Sequence, residues 1–392
     1  MLYVLLTYLC SPIIYFLLLF KKRAINPSTK DSDIGVNRIL IIQTAKIGDL
    51  ICSTPVFRAV KEKYPDTHLS VMASPLTKKL LEYNPNVDEI IPLKSSFYKG
   101  FVGKMRLVRL IRRGRYDIGI SLNPSVPFLL AMFWGLIPVR VSIMPDFTGI
   151  TYKMASVFSI YLERHIRGRL VAETYMAMLK AIGSNDNDIS KEVFKSPDAD
   201  KKVVGETLVV SRWEGTSPSP TKQNSKLVGL AVTSGNKLKE WGAENMASLA
   251  DRLVRELNVC IALIGSEKDR DIADEILSLS KYKNMIINAV GNFNLAELPA
   301  LIERLSFFIG VDTGIIYMAD ALNIPLVDIA GPSDMEDQRP TGKKVVIIQR
   351  NLSCVPCSHS FKAPYSCRYG HKECITSITV EEVFTGVSRF MA

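Results

Sequence analysis

Disulfide chemistry has little to build on in this chain: seven cysteines in 392 residues are too few for a stapled scaffold. Several signatures are missing outright. No GxGxxG follows an apolar strand, which speaks against a nicotinamide dehydrogenase. There is no GxxxxGKS/T phosphate loop, no HExxH helix and no GxSxG nucleophile elbow. No period of 20–50 residues recurs within either half, which excludes solenoids and propellers. Acids fall short of bases, 39 against 49, for a net charge of +10. That excess favours anionic partners without choosing among phosphate, anionic lipid and nucleic acid. With 47% hydrophobic and 22% charged residues, the chain is neither disordered nor collagen-like. Its length suits two domains with sizeable cores.

The first twenty residues, MLYVLLTYLCSPIIYFLLLF, carry no charge, and Lys21, Lys22 and Arg23 follow at once. At 1.5 Å per residue such a helix just crosses a hydrocarbon core of about 30 Å. A cleaved signal peptide would want a basic start and small residues at its end, and both are missing. The basic triplet places the rest of the chain on the cytoplasmic face of the inner membrane. Pro12 allows a kinked, re-entrant or monotopic segment in place of a single-pass span.

Residues 24–36 read as a tether. Arg38-Ile-Leu-Ile-Ile42 is then a buried strand, Gln43 to Asp49 a loop, and Thr54 to Tyr64 a helix opened by Thr54-Pro55. Strands at His68–Met72, Glu89–Leu93 and Tyr116–Leu122 alternate with helices at Thr77–Tyr83 and Lys104–Arg113, and a helix near Thr174–Ile182 closes this half. Residues 211–226, rich in Ser, Pro, Thr and Lys, form a linker. A second series follows. Its strands are Leu227–Val232, Val259–Ile264, Met285–Ile287, Phe307–Val311 and Leu326–Ile329; its helices are Ala243–Glu256, Asp269–Leu279, Leu295–Glu303 and Ile315–Leu322. Alternating strands and helices imply parallel βαβ units. The expected architecture is α/β: an anchor with its basic flank over 1–23, the tether, a doubly wound Rossmann-like domain over 37–210, the linker, a second such domain over 227–378, and a last helix over 379–392. A ligand cleft between the two domains is expected.

Ligands of open parallel sheets sit at strand carboxyl ends, where loops feed helix N-termini. Three such loops carry suitable residues. In the first, Gly48 permits close backbone approach or positive φ, and Asp49 is placed to take a proton from a substrate hydroxyl or to cap backbone amides. In the second, Asp312-Thr313-Gly314 follows a strand and opens a helix, a composition fit for a diphosphate cradle and equally for a capping turn. In the third, Thr233 and Ser234 offer hydroxyls and Lys237 or Lys239 offers charge, with Trp241 at a cleft edge or in a core.

Residues 94–115 hold eight cations and no acid: Lys94, Lys99, Lys104, Arg106, Arg109, Arg112, Arg113 and Arg115, with aromatic and aliphatic residues between. Beside a membrane segment, this composition favours anionic inner-leaflet lipid over a merely solvated helix face. No nucleic-acid-binding motif accompanies it. Cys354 and Cys357 have metal-ligand spacing, and Cys367 and Cys374 follow more loosely, with His359 and His371 nearby. A structural zinc is one reading; reduced structural thiols are the default. Cys10, Cys52 and Cys260 read as packing residues.

Three stretches share a resemblance. ILIIQTAKIGDLICSTPVFRAVKEKYPDTHLSVMAS resembles the opening strand, Gly-Asp loop and first helix of glycosyltransferase family 9, the lipopolysaccharide heptosyltransferases. GLAVTSGNKLKEWGAENMASLADRL resembles the family's strand, Lys-x-Trp loop and following helix, and FFIGVDTGIIYMADALNIPLVDIAGPSD its Asp-Thr-Gly and Gly-Pro-Thr-Asp blocks. The cysteine cluster is similar to one in the heptosyltransferase II branch. The motifs keep the family's order over roughly residues 38–385.

The resemblance implies a GT-B fold, with a last helix that returns to the first domain. It implies inverting transfer of a sugar, usually from ADP-heptose, onto a lipid-linked saccharide without a catalytic metal or cofactor. Carried over by position, Asp49 is the general base, and Thr233 and Lys239 hold the donor diphosphate, with Ser234 a further donor-binding hydroxyl. Asp312, Thr313 and Gly314 contact donor sugar and phosphate, and Asp269 matches the acidic residue on the nucleoside ribose. Three positions depart from the pattern: Tyr317 stands where the family has His near the donor, Gly242 where it has Pro, and Ser333 where it has Thr. An N-terminal membrane segment is not general in the family either. The Tyr317 departure motivates an alternative, a non-catalytic scaffold or nucleotide-sugar-binding protein in envelope polysaccharide assembly.

Overall fold

The computed structural model describes residues 1–22, 35–146, 148–205 and 226–390. The tether, apart from its last two residues, and the linker, apart from Lys226, lie outside the described residues. The chain forms two compact units, Met1–Ser190 and Lys191–Ala392.

The first unit is built on a parallel sheet of β1 (Arg38–Gln43), β2 (His68–Ala73), β3 (Glu89–Pro92), β4 (Ile118–Ser121), β5 (Val139–Pro145) and β6 (Tyr161–His165), in the order β3-β2-β1-β4-β5-β6. Arg38 of β1 pairs with His68 of β2, and Ile39 with Ile118 of β4. Ile39 to Ile42 are fully buried, as a central strand covered on both faces requires. The expected helix Thr77–Tyr83 is a short 3-10 turn at Thr77–Leu80. The expected helix Lys104–Arg113 starts earlier and runs over Gly100–Gly114.

The second unit repeats the plan with β7 (Leu227–Ala231), β8 (Cys260–Ile264), β9 (Ile286–Asn288), β10 (Phe307–Val311), β11 (Leu326–Ile329) and β12 (Val345–Ile348), in the order β12-β11-β10-β7-β8-β9. In both sheets the first strand lies centrally and the chain reverses direction beside it, between β1 and β4 and between β7 and β10. Those reversals leave a crevice at the strands' carboxyl ends, because the loops there diverge to opposite faces. The sheet of the second unit is covered by the helix Ala243–Leu257, whose buried face is Met246, Ala247, Leu249, Ala250, Leu253 and Val254.

The second unit begins at Lys191, ahead of residues 211–226. The Lys191 ammonium is buried against Asp320 Oδ2 at 2.7 Å and also donates to Thr341. Lys195 pairs with Glu303 and Lys202 with Glu297. These contacts fasten residues 191–202 to the second unit. The last helix, Val380–Ser388, also belongs to it. Val383, Phe384 and Val387 join that unit's core, and Arg350 grips Glu382 with two bonds of 2.6 Å.

Candidate functional site

Asp49 comes at the end of the loop that leaves β1. Its half-buried carboxylate accepts the backbone N–H of Lys46 at 3.1 Å, so the capping role is real and holds the group at the strand's carboxyl end. Opposite the reversal point, Asn123 follows β4 and ties the loop in. Asn123 Oδ1 accepts the Thr44 N–H at 2.7 Å, and its Nδ2 donates to Gln43 Oε1 at 2.6 Å. One expectation is corrected here. Gly48 has no positive φ; it lies buried in the helical turn Ile47–Ile51, so that turn starts before Asp49.

In the second unit the loops after β7 and β10 converge on Asp312, 6% exposed. Its Oδ2 accepts from Lys239 Nζ and from Ser333 Oγ, both at 2.5 Å, and its Oδ1 accepts from the Tyr317 hydroxyl at 2.9 Å. Burial pushes this carboxyl up, but the Lys239 charge and the three donors outweigh burial and hold it below the usual carboxylate range. Lys239 keeps further N–H donors for an anion, since an ammonium has three. Thr313 and Gly314 start the helix Gly314–Ala321, which no side chain caps, so its first amides remain available to a ligand.

Ser234 donates to the Asp312 carbonyl at 3.5 Å, and Thr233 donates to Asp269 Oδ1 at 2.8 Å. Asp269 also accepts from the N–H and the hydroxyl of Ser266, each at 2.7 Å, so it binds the β7 and β8 loops to one another. Trp241 is a core residue, 3% exposed, and donates to the Ile378 carbonyl. Gly242, which stands in place of proline, has φ of +99°, an angle a pyrrolidine ring cannot adopt. The backbone after Trp241 therefore departs from the course that the family's proline would set.

Two residues of this cluster carried no motif of their own. Ser333 was visible only as a substitution in the Gly-Pro-Ser-Asp block. Asp328, on β11, is wholly buried, and neither of its oxygens has a hydrogen-bond partner. Burial, reinforced by the nearby Asp312 charge, raises its pKa well above normal and favours the neutral acid.

Cys354, Cys357, Cys367 and Cys374 line one cavity of about 270 Å³ with Pro332 and Leu238. All are free thiols. Burial and neighbouring thiols raise Cys357 and push Cys374 up to about 11, whereas backbone N–H groups of Lys372 and Tyr369 lower Cys367. Among the described residues, the side chains whose ligand atoms come within 4.8 Å of one another are Asp334, Asp337 and His359 instead. There His359 Nδ1 meets Asp334 Oδ2 at 2.7 Å. Cys52 and Cys260 are buried packing residues, and Cys10 is half-buried.

Two parallel six-stranded sheets, each with a reversal point beside its first strand, place the chain in the α/β, GT-B-like class. Residues 104–365 match the model of glycosyltransferase family 9 (heptosyltransferase). The chain belongs to that family and is a glycosyltransferase. It is 26% identical to lipopolysaccharide heptosyltransferase 2 of Salmonella typhimurium, over 80% of this chain and 88% of that one. Its fold is similar to the family 9 glycosyltransferase of Veillonella parvula (TM-score 0.74, 21% identity, covering 91% of this chain and 97% of that one). It is also similar to ADP-heptose lipopolysaccharide heptosyltransferase II of Escherichia coli (TM-score 0.69, 21% identity, covering 90% and 98%).

Proposed function

We propose that the chain transfers heptose from ADP-heptose to a lipopolysaccharide core acceptor, at the cytoplasmic face of the inner membrane. The observation that carries the donor side is the convergence of Lys239, Ser333 and Tyr317 on Asp312 at the reversal between β7 and β10. The names of the relatives support heptose and the acceptor class.

The mechanism follows from charge placement. Asp49 takes the proton from the acceptor hydroxyl as its oxygen attacks the anomeric carbon. The bond from that carbon to the diphosphate breaks, its electron pair leaves with ADP, and configuration inverts. Lys239 and the open amides at the start of Gly314–Ala321 stabilise the departing diphosphate, so the step needs no metal ion. Thr233, Ser234 and Thr313 border this anion, and Asp269 keeps Thr233 in place or takes the ribose. The four thiols have a structural role as reduced cysteines; zinc bound to them would show as about one ion per purified chain.

The test is a thermal-shift titration of the full-length protein with ADP, UDP, GDP and CMP. ADP at about 100 times its Kd stabilises by about 2.7 kcal/mol, a readily measured rise. Selective stabilisation by ADP is expected. Selectivity for UDP or GDP would discard heptose, and no response to any nucleotide would favour a scaffold.

A further inference from the structure

Helix Leu2–Lys22 has two apolar faces, and the fold uses one. Tyr3, Val4, Thr7, Ile14 and Leu18 are buried at helical spacing and pack in one core with Phe128, Phe133, Tyr152 and Phe158. Polar contacts fix this docking. Trp134 Nε1 donates to Thr7 Oγ1 at 2.9 Å, and the Tyr8 hydroxyl donates to the Met154 carbonyl at 2.8 Å. Tyr8 meets Phe158 edge-on, and the Tyr15 ring lies 5.1 Å from Phe133. The helix is thus seated on its own unit from residue 3 to residue 18.

The other face is bare. Leu2, Leu5, Leu9, Ile13 and Phe16 recur every three or four residues and are 51–77% exposed. Phe101, Val102, Ile150, Val157 and Ile160, on elements of the same unit, are exposed as well. A helix face of large exposed apolar side chains is the composition of an interaction surface. One cation of residues 94–115 reaches the helix itself: the Lys104 ammonium lies 5.4 Å from the ring centre of Tyr3, on the docked face. The other seven are exposed, and no carboxylate pairs with any of the eight among the described residues.

We propose that Leu2–Lys22 is an in-plane anchor that does not cross the bilayer. It stays docked on the first unit and sinks Leu5, Leu9, Ile13 and Phe16 into the headgroup–acyl boundary of an anionic leaflet. Lys99, Lys104, Arg106 and Arg109 bind lipid phosphates beside it. A spanning helix would be ringed by lipid and would forfeit the contacts of residues 3 to 18, whereas an in-plane helix keeps them and covers its bare face. This inference rests on the membrane reading above and specifies its geometry.

The test adds full-length protein to preformed phosphatidylcholine vesicles containing a quarter phosphatidylglycerol. A dithionite-sensitive fluorophore is placed site-specifically at position 2 or at position 19. Dithionite outside the vesicles is expected to quench both positions nearly completely. Protection of position 2 alone would show a span and overturn the proposal, as would failure to bind these vesicles.

Two variants probe the two contributions. Leu9→Gln with Phe16→Gln, both on the exposed face, is expected to lower partitioning about tenfold, as two apolar side chains leave the interface. Arg106→Glu with Arg109→Glu is expected to lower it at least tenfold, at about fivefold per basic residue removed. Unchanged binding in either variant overturns that part of the surface. An unchanged ADP-induced melting shift in the same preparations separates failure of the anchor from failure of the transferase reading.

Discussion

Tyr317 donates its hydroxyl to Asp312 Oδ1 at 2.9 Å from five residues further along the chain. The residue that replaces the family's histidine therefore joins the Asp312 cluster; it supplies one of the three hydrogen bonds that hold that carboxyl below the usual carboxylate range. The same hydroxyl lies 3.2 Å from the Gln338 carbonyl, which fixes its orientation.

Tyr317→Phe removes that donor from a buried carboxylate. A hydrogen bond to a charged group contributes about 1.5–3 kcal/mol, so the melting temperature should fall by several degrees. Because Lys239 still holds Asp312, the ADP-induced shift should persist while kcat/KM drops about tenfold or more. An unchanged kcat/KM would show that the hydroxyl takes no part in donor placement.

Lys239→Met breaks a buried pair and leaves Asp312 uncompensated, a loss of about 3–5 kcal/mol at neutral pH. The deficit should shrink in acid. Without Lys239, burial raises the Asp312 pKa in the fold, so its destabilisation appears only above its unfolded value of about 3.9 and grows as pH rises. Thermal melts from pH 5 to 8 read this directly, and the variant should also lose its response to ADP.

Asp328 gives the opposite handle, because burial in the wild-type fold favours its protonated form. Above about pH 3.9 the unfolded chain releases this proton and the folded chain keeps it, so stability falls as pH rises through that range. The slope is at most about 1.4 kcal/mol per pH unit for one proton. Asp328→Asn abolishes that titration. Its melting temperature relative to wild type should improve as pH rises above about 3.9, and a difference that stays constant with pH would contradict the raised pKa.

Residues 354–374 give a compositional test. Elemental analysis of the purified protein should find no stoichiometric zinc, and a thiol titration in denaturant should return all seven cysteines. About one zinc per chain would replace the structural-thiol reading.

Much of this was legible in the sequence because central strands announce themselves. Arg38-Ile-Leu-Ile-Ile and Phe307-Phe-Ile-Gly-Val are apolar runs bounded by turn residues, and the order of strands and helices then fixes where ligand loops fall. The strands β5, β6 and β12 were hidden. β5 contains Arg140, a fully buried guanidinium that breaks the apolar pattern; it is satisfied by the carbonyls of Phe158, Ile137 and Pro138, which no local pattern reveals. β6 reads YLERH and looks exposed. Helix Val126–Trp134 is apolar nearly all round, so it shows no helical period. Asp49 in the first unit, and Lys239 and Asp312 in the second, stand in recognisable loops. Asn123, Ser333 and Asp328 acquire their roles only through contacts across the sheet.

The most direct test of the account is the turnover of Asp49→Asn with ADP-heptose and a heptose-accepting lipopolysaccharide core, measured beside its ADP-induced melting shift. Asparagine keeps the size and the hydrogen bond from the Lys46 amide but cannot take a proton. The predicted result is turnover reduced at least about a hundredfold, as expected for loss of a general base, with the ADP shift intact. Turnover close to wild type would remove Asp49 from the role of base and contradict the mechanism.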